Sequence, residues 1–222
     1  MIEVVPAVIP QSIDYLREKL LLVKGLAETV QIDVLDGVFV PNRSWPMNPG
    51  DRSSFERILL EDEGLPYWED FNFEVDLMAH HPETLLPEWV KAGITRAVIH
   101  LESDHDIVKC REVVGDAVEL GLAIDLDPPY EKVASYIDQI QYIQVMGIGR
   151  LGKQGEPADE RAIALIKRVR SDFPNVTIQV DGGVNDETAP DLIDAGADRL
   201  VAGSYILRAE SPKEAIKILQ SS

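Results

Sequence analysis

The sequence predicts a single (β/α)8 barrel spanning residues 1–222, and three observations carry that expectation. Apolar, strand-like runs alternate with amphipathic helical stretches from one end of the chain to the other. The alternation completes eight rounds, which favours a closed parallel barrel over an open doubly wound sheet of fewer strands. Polar residues collect where each strand-like run ends, the place where such barrels carry their chemistry. No Ser/Gly-rich linker or low-complexity tract marks a domain boundary.

In chain order, IEVVPAVI (2–9) is the first strand and SIDYLREKLLLVKGL (12–26) the helix after it. TVQIDVLD (29–36), FEVDLM (73–78) and RAVIHL (96–101) follow as strands two to four. The intervening stretch 47–72 is rich in aromatic and acidic residues and reads as a surface insertion or a partner contact. GLAIDL (121–126), YIQVMG (142–147), TIQVDGG (177–183) and RLVAGS (199–204) supply the rest, with DERAIALIKRVRSDF (159–173) as the helix after strand six. Closure requires the first strand to pair with the strand holding VAGS.

Composition narrows the function. Hydrophobic residues make up 45% and charged residues 27%, as in an ordinary globular domain, and no run approaches the roughly 20 apolar residues of a membrane span. Lys plus Arg number 21 against 39 Asp plus Glu, a net charge of −18 that repels nucleic acid and anionic membranes. A small phosphorylated ligand stays compatible, because backbone amides bind phosphate without basic side chains. The first residues, MIEVVPAVIP, run straight into strand-like sequence without a basic segment, the pattern of an untargeted cytoplasmic protein. The single cysteine, Cys110, agrees with a reducing compartment and sits at helical spacing in DIVKCREVV, as a structural thiol does.

The polar strand ends are Asp33, Asp76, His100 with Glu102, Asp125 with Asp127, and Asp181, beyond Val and Ile residues expected to fill the barrel interior. Because strand side chains alternate, Gln31 and Asp33 share one side, as do Glu74 and Asp76, His100 and Glu102, and Gln179 and Asp181. Pointing inward, these groups gather several carboxyls at one mouth, and their repulsion raises pKa values unless a cation or basic substrate lies among them. Asp36 follows the strand beside Gly37, so it is read as a turn former. His80 and His81 in AHHPE are read as loop residues. The glycine-bearing ends VDGGVN (180–185) and VAGSYI (201–206) fall in the last two β/α units, where barrels commonly bind phosphate.

DVLDGVFVPN (33–42), VDLM (75–78) with a following proline, AGITRAVIHLES (92–103), VDGGVN and AGADRLVAGS (195–204) together resemble the ribulose-phosphate 3-epimerase family along essentially the whole chain. The resemblance implies a TIM barrel of the ribulose-phosphate-binding type, which inverts a hydroxyl-bearing carbon of a ketopentose phosphate through an enediolate. It makes Asp33 and Asp181 the acid/base pair and two of the metal ligands. The glycine-bearing strand ends, with the sixth loop, place the phosphate at Gly152, Gly182, Gly183, Gly203 and Ser204, with Arg150 or Lys153 closing over it. The chain departs from the family where the latter has His-x-Asp and His-Leu-Met, having Gln31-Ile32-Asp33 and Asp76-Leu77-Met78. Pro-Ala-Val-Ile-Pro (6–10) stands for Pro-Ser-x-Leu-Ser, and the sixth loop, MGIGRLGKQGEP, keeps glycines and Gln154 but not the Asn-Pro-Gly order.

With both histidine ligands replaced, the implied metal set is Gln31, Asp33, Asp76 and Asp181. These oxygens suit Mg²⁺ or Mn²⁺ better than zinc or iron, and metal-independent action is the other outcome. The expected partners are a small phosphorylated sugar and, at most, further copies of the chain in a homo-oligomer. Two alternatives stand beside the epimerase. One is another phosphosugar isomerisation or a retro-aldol lyase, without Schiff-base chemistry because no lysine lies at a strand end. The other is a catalytically silent phosphosugar-binding protein.

Overall fold

A computed structural model describes residues 2–222. Eight parallel strands close in sequence order into one barrel: β1 (Glu3–Val8), β2 (Thr29–Leu35), β3 (Asn72–Met78), β4 (Arg96–His100), β5 (Glu119–Ile124), β6 (Tyr142–Met146), β7 (Thr177–Asp181) and β8 (Arg199–Ala202). β1 pairs with β8 through Val5↔Val201 and Pro6↔Ala202, as closure demands. Outside run α1 (Ile13–Val23), α2 (Arg52–Leu59), α3 (Leu86–Lys91), α4 (Ile107–Val114), α5 (Tyr130–Tyr136), α6 (Arg161–Asp172), α7 (Ala189–Ala195), α8 (Ser204–Leu207) and α9 (Pro212–Ser221). No helix among the described residues is long and apolar enough to cross a membrane.

Local sequence sets these boundaries. Ser12 caps α1 by accepting from the Tyr15 amide, and the helix runs out before Gly25, which adopts φ +73°. β5 begins two residues earlier than the apolar run suggests, so Asp125 stands just beyond the strand and not within it. The stretch 47–72 is no loose insertion: it contains α2, and Phe55, Ile58 and Leu65 are buried. Phe55 packs with Trp45 and Trp89 at ring-centroid distances of 5.4 and 4.7 Å.

The expectation that Val and Ile fill the interior is overturned. Ile32, Val34, Val75, Leu77, Ile143, Val145, Ile178 and Val180 face outward into the main core between strands and helices. The opposite phase of each strand lines the inside, and there Gln31, Asp33, Glu74, Asp76, His100, Gln144 and Gln179 are buried. Both faces of a parallel barrel are covered, so apolar character alone does not say which face is which. Small apolar residues, Val5, Ala7 and Val201, line the β1/β8 side of the interior, and space remains there.

Candidate active site

The β2/β3 register sets Asp33 beside Asp76 and Gln31 beside Glu74, one layer deeper. Across the barrel, β7 brings in Asp181 and Gln179, and β6 brings in Gln144. Gln31 Nε2 donates to Asp33 Oδ1 at 2.8 Å and to Asp181 Oδ2 at 2.9 Å, so one amide bridges the two carboxyls. Its oxygen turns away, towards Gln179 Nε2 at 3.4 Å. This differs from the expectation that Gln31 offers its amide oxygen to a cation: two carboxylates can only accept, and the amide meets them with its donor side. Gln179 also donates to Glu74 (2.7 Å) and Gln144 Oε1 (2.8 Å), and Gln144 donates to Asp76 Oδ2 (2.8 Å). Three glutamines thus tie the acids into one hydrogen-bonded set.

Burial dominates the electrostatics of the pair. It pushes the Asp33 carboxyl well above the usual carboxylate range, helped by the charges on Asp181 and Asp76 and opposed by the Gln31 hydrogen bond. Burial and the charge on Asp76 raise Asp181 to about 7. Asp181 keeps part of its surface open to the cavity above it. Two neighbouring carboxyls that both favour the protonated form can differ in protonation near neutrality, an arrangement that suits one to donate a proton and the other to accept one.

Above them lies a cavity of about 410 Å³. Asp33 and Asp181 line it, together with Gly152, Gly182, Gly183, Gly203 and Ser204, all five of the residues predicted for the phosphate. Backbone conformation favours glycine at Gly152, Gly182 and Gly183, which adopt φ of 78°, 101° and 70°. A Cβ on Gly203 would come within 2.3 Å of Gln154 Nε2, which donates to the Ala7 carbonyl at 2.9 Å and holds the sixth loop against β1. A Cβ on Gly183, at φ +70°, would meet Ala158 Cα at 2.6 Å. Lys153 lines the cavity; Arg150 does not, being exposed beside Asp159 and Arg161 on the outer surface. Its expected place is taken by Arg208, whose signal in the sequence is a cation one helical turn after Gly203-Ser204.

Asp36 is a turn former: Oδ1 accepts from the amides of Val38 (2.7 Å) and Phe39 (2.8 Å), and Oδ2 from the amide of His80 (3.0 Å). His80 and His81 lie in the loop after β3, the former accepting from the Asp104 amide at 2.9 Å. Cys110 is buried, and burial raises its thiol to about 12, so it is no nucleophile. Asp127 pairs with Arg161 at the surface.

Among the described residues, two groups of side chains could hold a metal ion: Asp33 with Asp76 and Asp181, and His100 with Glu102 and Asp125. His100 of β4 sits 2.8 Å from Asp76 Oδ1 through Nε2. Burial works against protonation of His100, but the charge and hydrogen bond of Asp76 outweigh it and leave its pKa raised. Sequence alternation placed His100 inward; only the packing of β3 against β4 brings it to Asp76.

Residues 3–207 match the model of the ribulose-phosphate 3 epimerase family. The chain is 29% identical to the ribulose-phosphate 3-epimerase of Bacillus subtilis, with the whole of both chains covered. It is 30% identical to that of Chlamydia trachomatis, covering 87% of this chain and 82% of the relative. Among solved structures it is similar to KGPDC from Streptococcus mutans, at a TM-score of 0.68 and 13% identity over 100% of this chain and 97% of the other. It is also similar to a 3-hexulose-6-phosphate synthase, at 0.65 and 18% over 100% and 99%. At such identities the two structures speak for the fold alone.

Proposed function

The chain belongs to the ribulose-phosphate 3-epimerase family, and from that premise we propose that it is an isomerase that interconverts ribulose 5-phosphate and xylulose 5-phosphate, or a close pair of ketopentose phosphates. The observation that carries this reading is the Gln31 amide bridging Asp33 and Asp181 at the floor of a glycine-walled cavity. In this reading, the phosphate is held by Lys153, Arg208, Ser204 and the backbone around Gly152, Gly182, Gly183 and Gly203. The sugar then extends down to the two carboxyls. The ionised member of the pair removes the proton next to the ketone, and the protonated member returns one from the opposite face. The proton kept on the pair also hydrogen-bonds the developing enediolate oxygen, where burial makes such a bond strong.

The divalent ion implied by the family would be held at the central carboxyls by Asp33, Asp76 and Asp181, where it would stabilise negative charge on the enediolate oxygen. Gln31 takes one oxygen each of Asp33 and Asp181 and leaves their second oxygens open, while Asp76 accepts from His100 and Gln144 on its two oxygens. The proton transfer itself is carried by Asp33 and Asp181.

The test is solvent-deuterium incorporation at the carbon next to the ketone, with ribulose 5-phosphate as substrate. The parent and Asp36→Asn should exchange, while Asp33→Asn and Asp181→Asn should not, yet should still bind phosphosugar. Absence of exchange in the parent would point to the silent binding protein instead. Exchange that survives in both Asp33→Asn and Asp181→Asn would reject the pair.

A further inference from the structure

One cluster at the barrel mouth carries chemistry that the proton transfer does not use. His100 ends β4, Glu102 stands two residues beyond it, and Asp125 follows β5. A ring nitrogen of His100 and one carboxylate oxygen from each of the other two lie within 4.8 Å of one another. Opposite ligands on a single ion stand about 4 Å apart, so these atoms need only a small adjustment to share one.

The second observation is that the cluster is unsatisfied. His100 is wholly buried, and its Nε2 faces a carboxylate oxygen of Asp76, so Nε2 carries the hydrogen. Nδ1 is buried with no hydrogen-bond partner. Glu102 Oε1 accepts from the Asp125 amide at 3.1 Å, but Oε2 is also buried and without a partner. Leaving such an atom bare forfeits its hydration without replacement, and native proteins rarely leave one without a ligand, ion or water. A water could hydrogen-bond Nδ1 but would leave two neighbouring carboxylates uncompensated. A cation satisfies the imidazole lone pair and both acids together.

The surroundings of the ring point the same way. Metal-bound histidines commonly donate their second N–H to a carboxylate, which fixes tautomer and orientation. Asp76 occupies that position, is itself held by Gln144, and the ring packs against Phe39 at a centroid distance of 5.1 Å.

We propose that His100 Nδ1, Glu102 and Asp125 form a site for one divalent transition-metal ion at the carboxyl ends of β4 and β5, with Asp76 orienting the imidazole from behind. One imidazole and two carboxylates suit Mn²⁺, Co²⁺ or Zn²⁺ better than Mg²⁺. The site is separate from the cavity walled by the sixth loop and the ends of β7 and β8. It concerns metal binding by the resting protein, so it stands or falls apart from the epimerase reading.

Titration of chelator-stripped protein with Mn²⁺, followed by electron paramagnetic resonance, tests it. One equivalent should bind with coupling to a single imidazole nitrogen, and Zn²⁺ should displace it where excess Mg²⁺ does not. Glu102→Gln and Asp125→Asn, near-isosteric changes at partly exposed positions, should each weaken binding by about ten-fold or more. Asp33→Asn and Asp181→Asn should retain it within about three-fold. Circular dichroism on every variant separates lost binding from lost folding. Affinity unchanged in Glu102→Gln and Asp125→Asn, or lost in Asp33→Asn or Asp181→Asn, would overturn the assignment. Failure of the parent to take up Mn²⁺ or Zn²⁺ would do so too, leaving a proton on Nδ1 as the occupant.

Discussion

The two ends of the barrel interior are built from the same kinds of residue and treat charge in opposite ways. At the amino-terminal end, Arg96 meets Glu3 at 2.9 Å, and Arg199 meets Glu3 at 3.0 Å and Glu119 at 3.2 Å. Glu74 lies just above, accepting from Tyr142 Oη at 2.9 Å and from Gln179. Acids there have guanidinium groups or hydrogen-bond donors facing them. At the carboxyl end, Asp33, Asp76, Asp181, Glu102 and Asp125 have one imidazole and a few amides between them, while buried atoms without partners occur in both layers, Arg199 Nη1 below and His100 Nδ1 above. A charge-compensated network resists change and contributes stability, whereas an acid-rich one holds protons and ligands at the cost of stability. The difference teaches where to look for chemistry when residue types alone do not discriminate.

Four experiments can break or sharpen that contrast. The largest effect is expected at the mouth. Asp33→Asn and Asp181→Asn should each lower epimerase turnover by about 10³-fold or more. Each should also raise the unfolding midpoint at pH 8, because a buried like charge is removed. A variant that lost activity and stability together would argue against a strained pair.

At the other end Arg199→Met should do the reverse, lowering stability in denaturant titrations by about 2–4 kcal/mol while the rate stays at the parent level. Removal of the guanidinium leaves Arg96, among the described residues, as the one cation facing Glu3, Glu119 and the buried Glu74 above them. A clear loss of turnover without loss of stability would erase the division between the ends.

Gly203→Leu should weaken phosphosugar binding by about ten-fold or more without unfolding the barrel, since the new side chain must displace Gln154 from the Ala7 carbonyl. Isothermal titration with ribulose 5-phosphate would measure it, and unchanged affinity would remove this wall from the site.

The smallest effect is on pH dependence. Asp181 and Glu74 are both raised to about 7, chiefly by burial, and Asp33 is raised as well. The folded chain therefore binds more protons than the unfolded chain between about pH 4 and 7. Stability from these groups is present at the acid end of that window and is lost as pH rises through it. Turnover runs the opposite way, falling below about pH 7 as the base of the pair is protonated. Unfolding midpoints and rates measured over the same buffers should cross; parallel profiles would contradict the shifted carboxyls.

The sequence by itself determined the eight strands and their order, because a period-two pattern broken by turn residues is a local property that neighbours in the chain encode. It determined that Gln31 and Asp33 share a face, that Asp36 serves a turn, and that glycines wall the ligand cavity. Tertiary structure decided the rest. Which face of each strand lies inside depended on closure, since Val and Ile were buried on the outer face while glutamines and acids filled the inner one. Arg208, at the end of α8, lines the cavity, whereas Arg150 points away from it in the loop after β6, a placement set by how loop and helix pack. Gln31 turned its nitrogen to the mouth because Asp33 and Asp181, 148 residues apart in the chain (181 − 33), meet there only once the barrel closes. The His100 imidazole came to Asp76 through the pairing of two neighbouring strands. Alternation fixes which side a residue faces, but partners across the barrel are set by distances that appear only when all eight strands are in place.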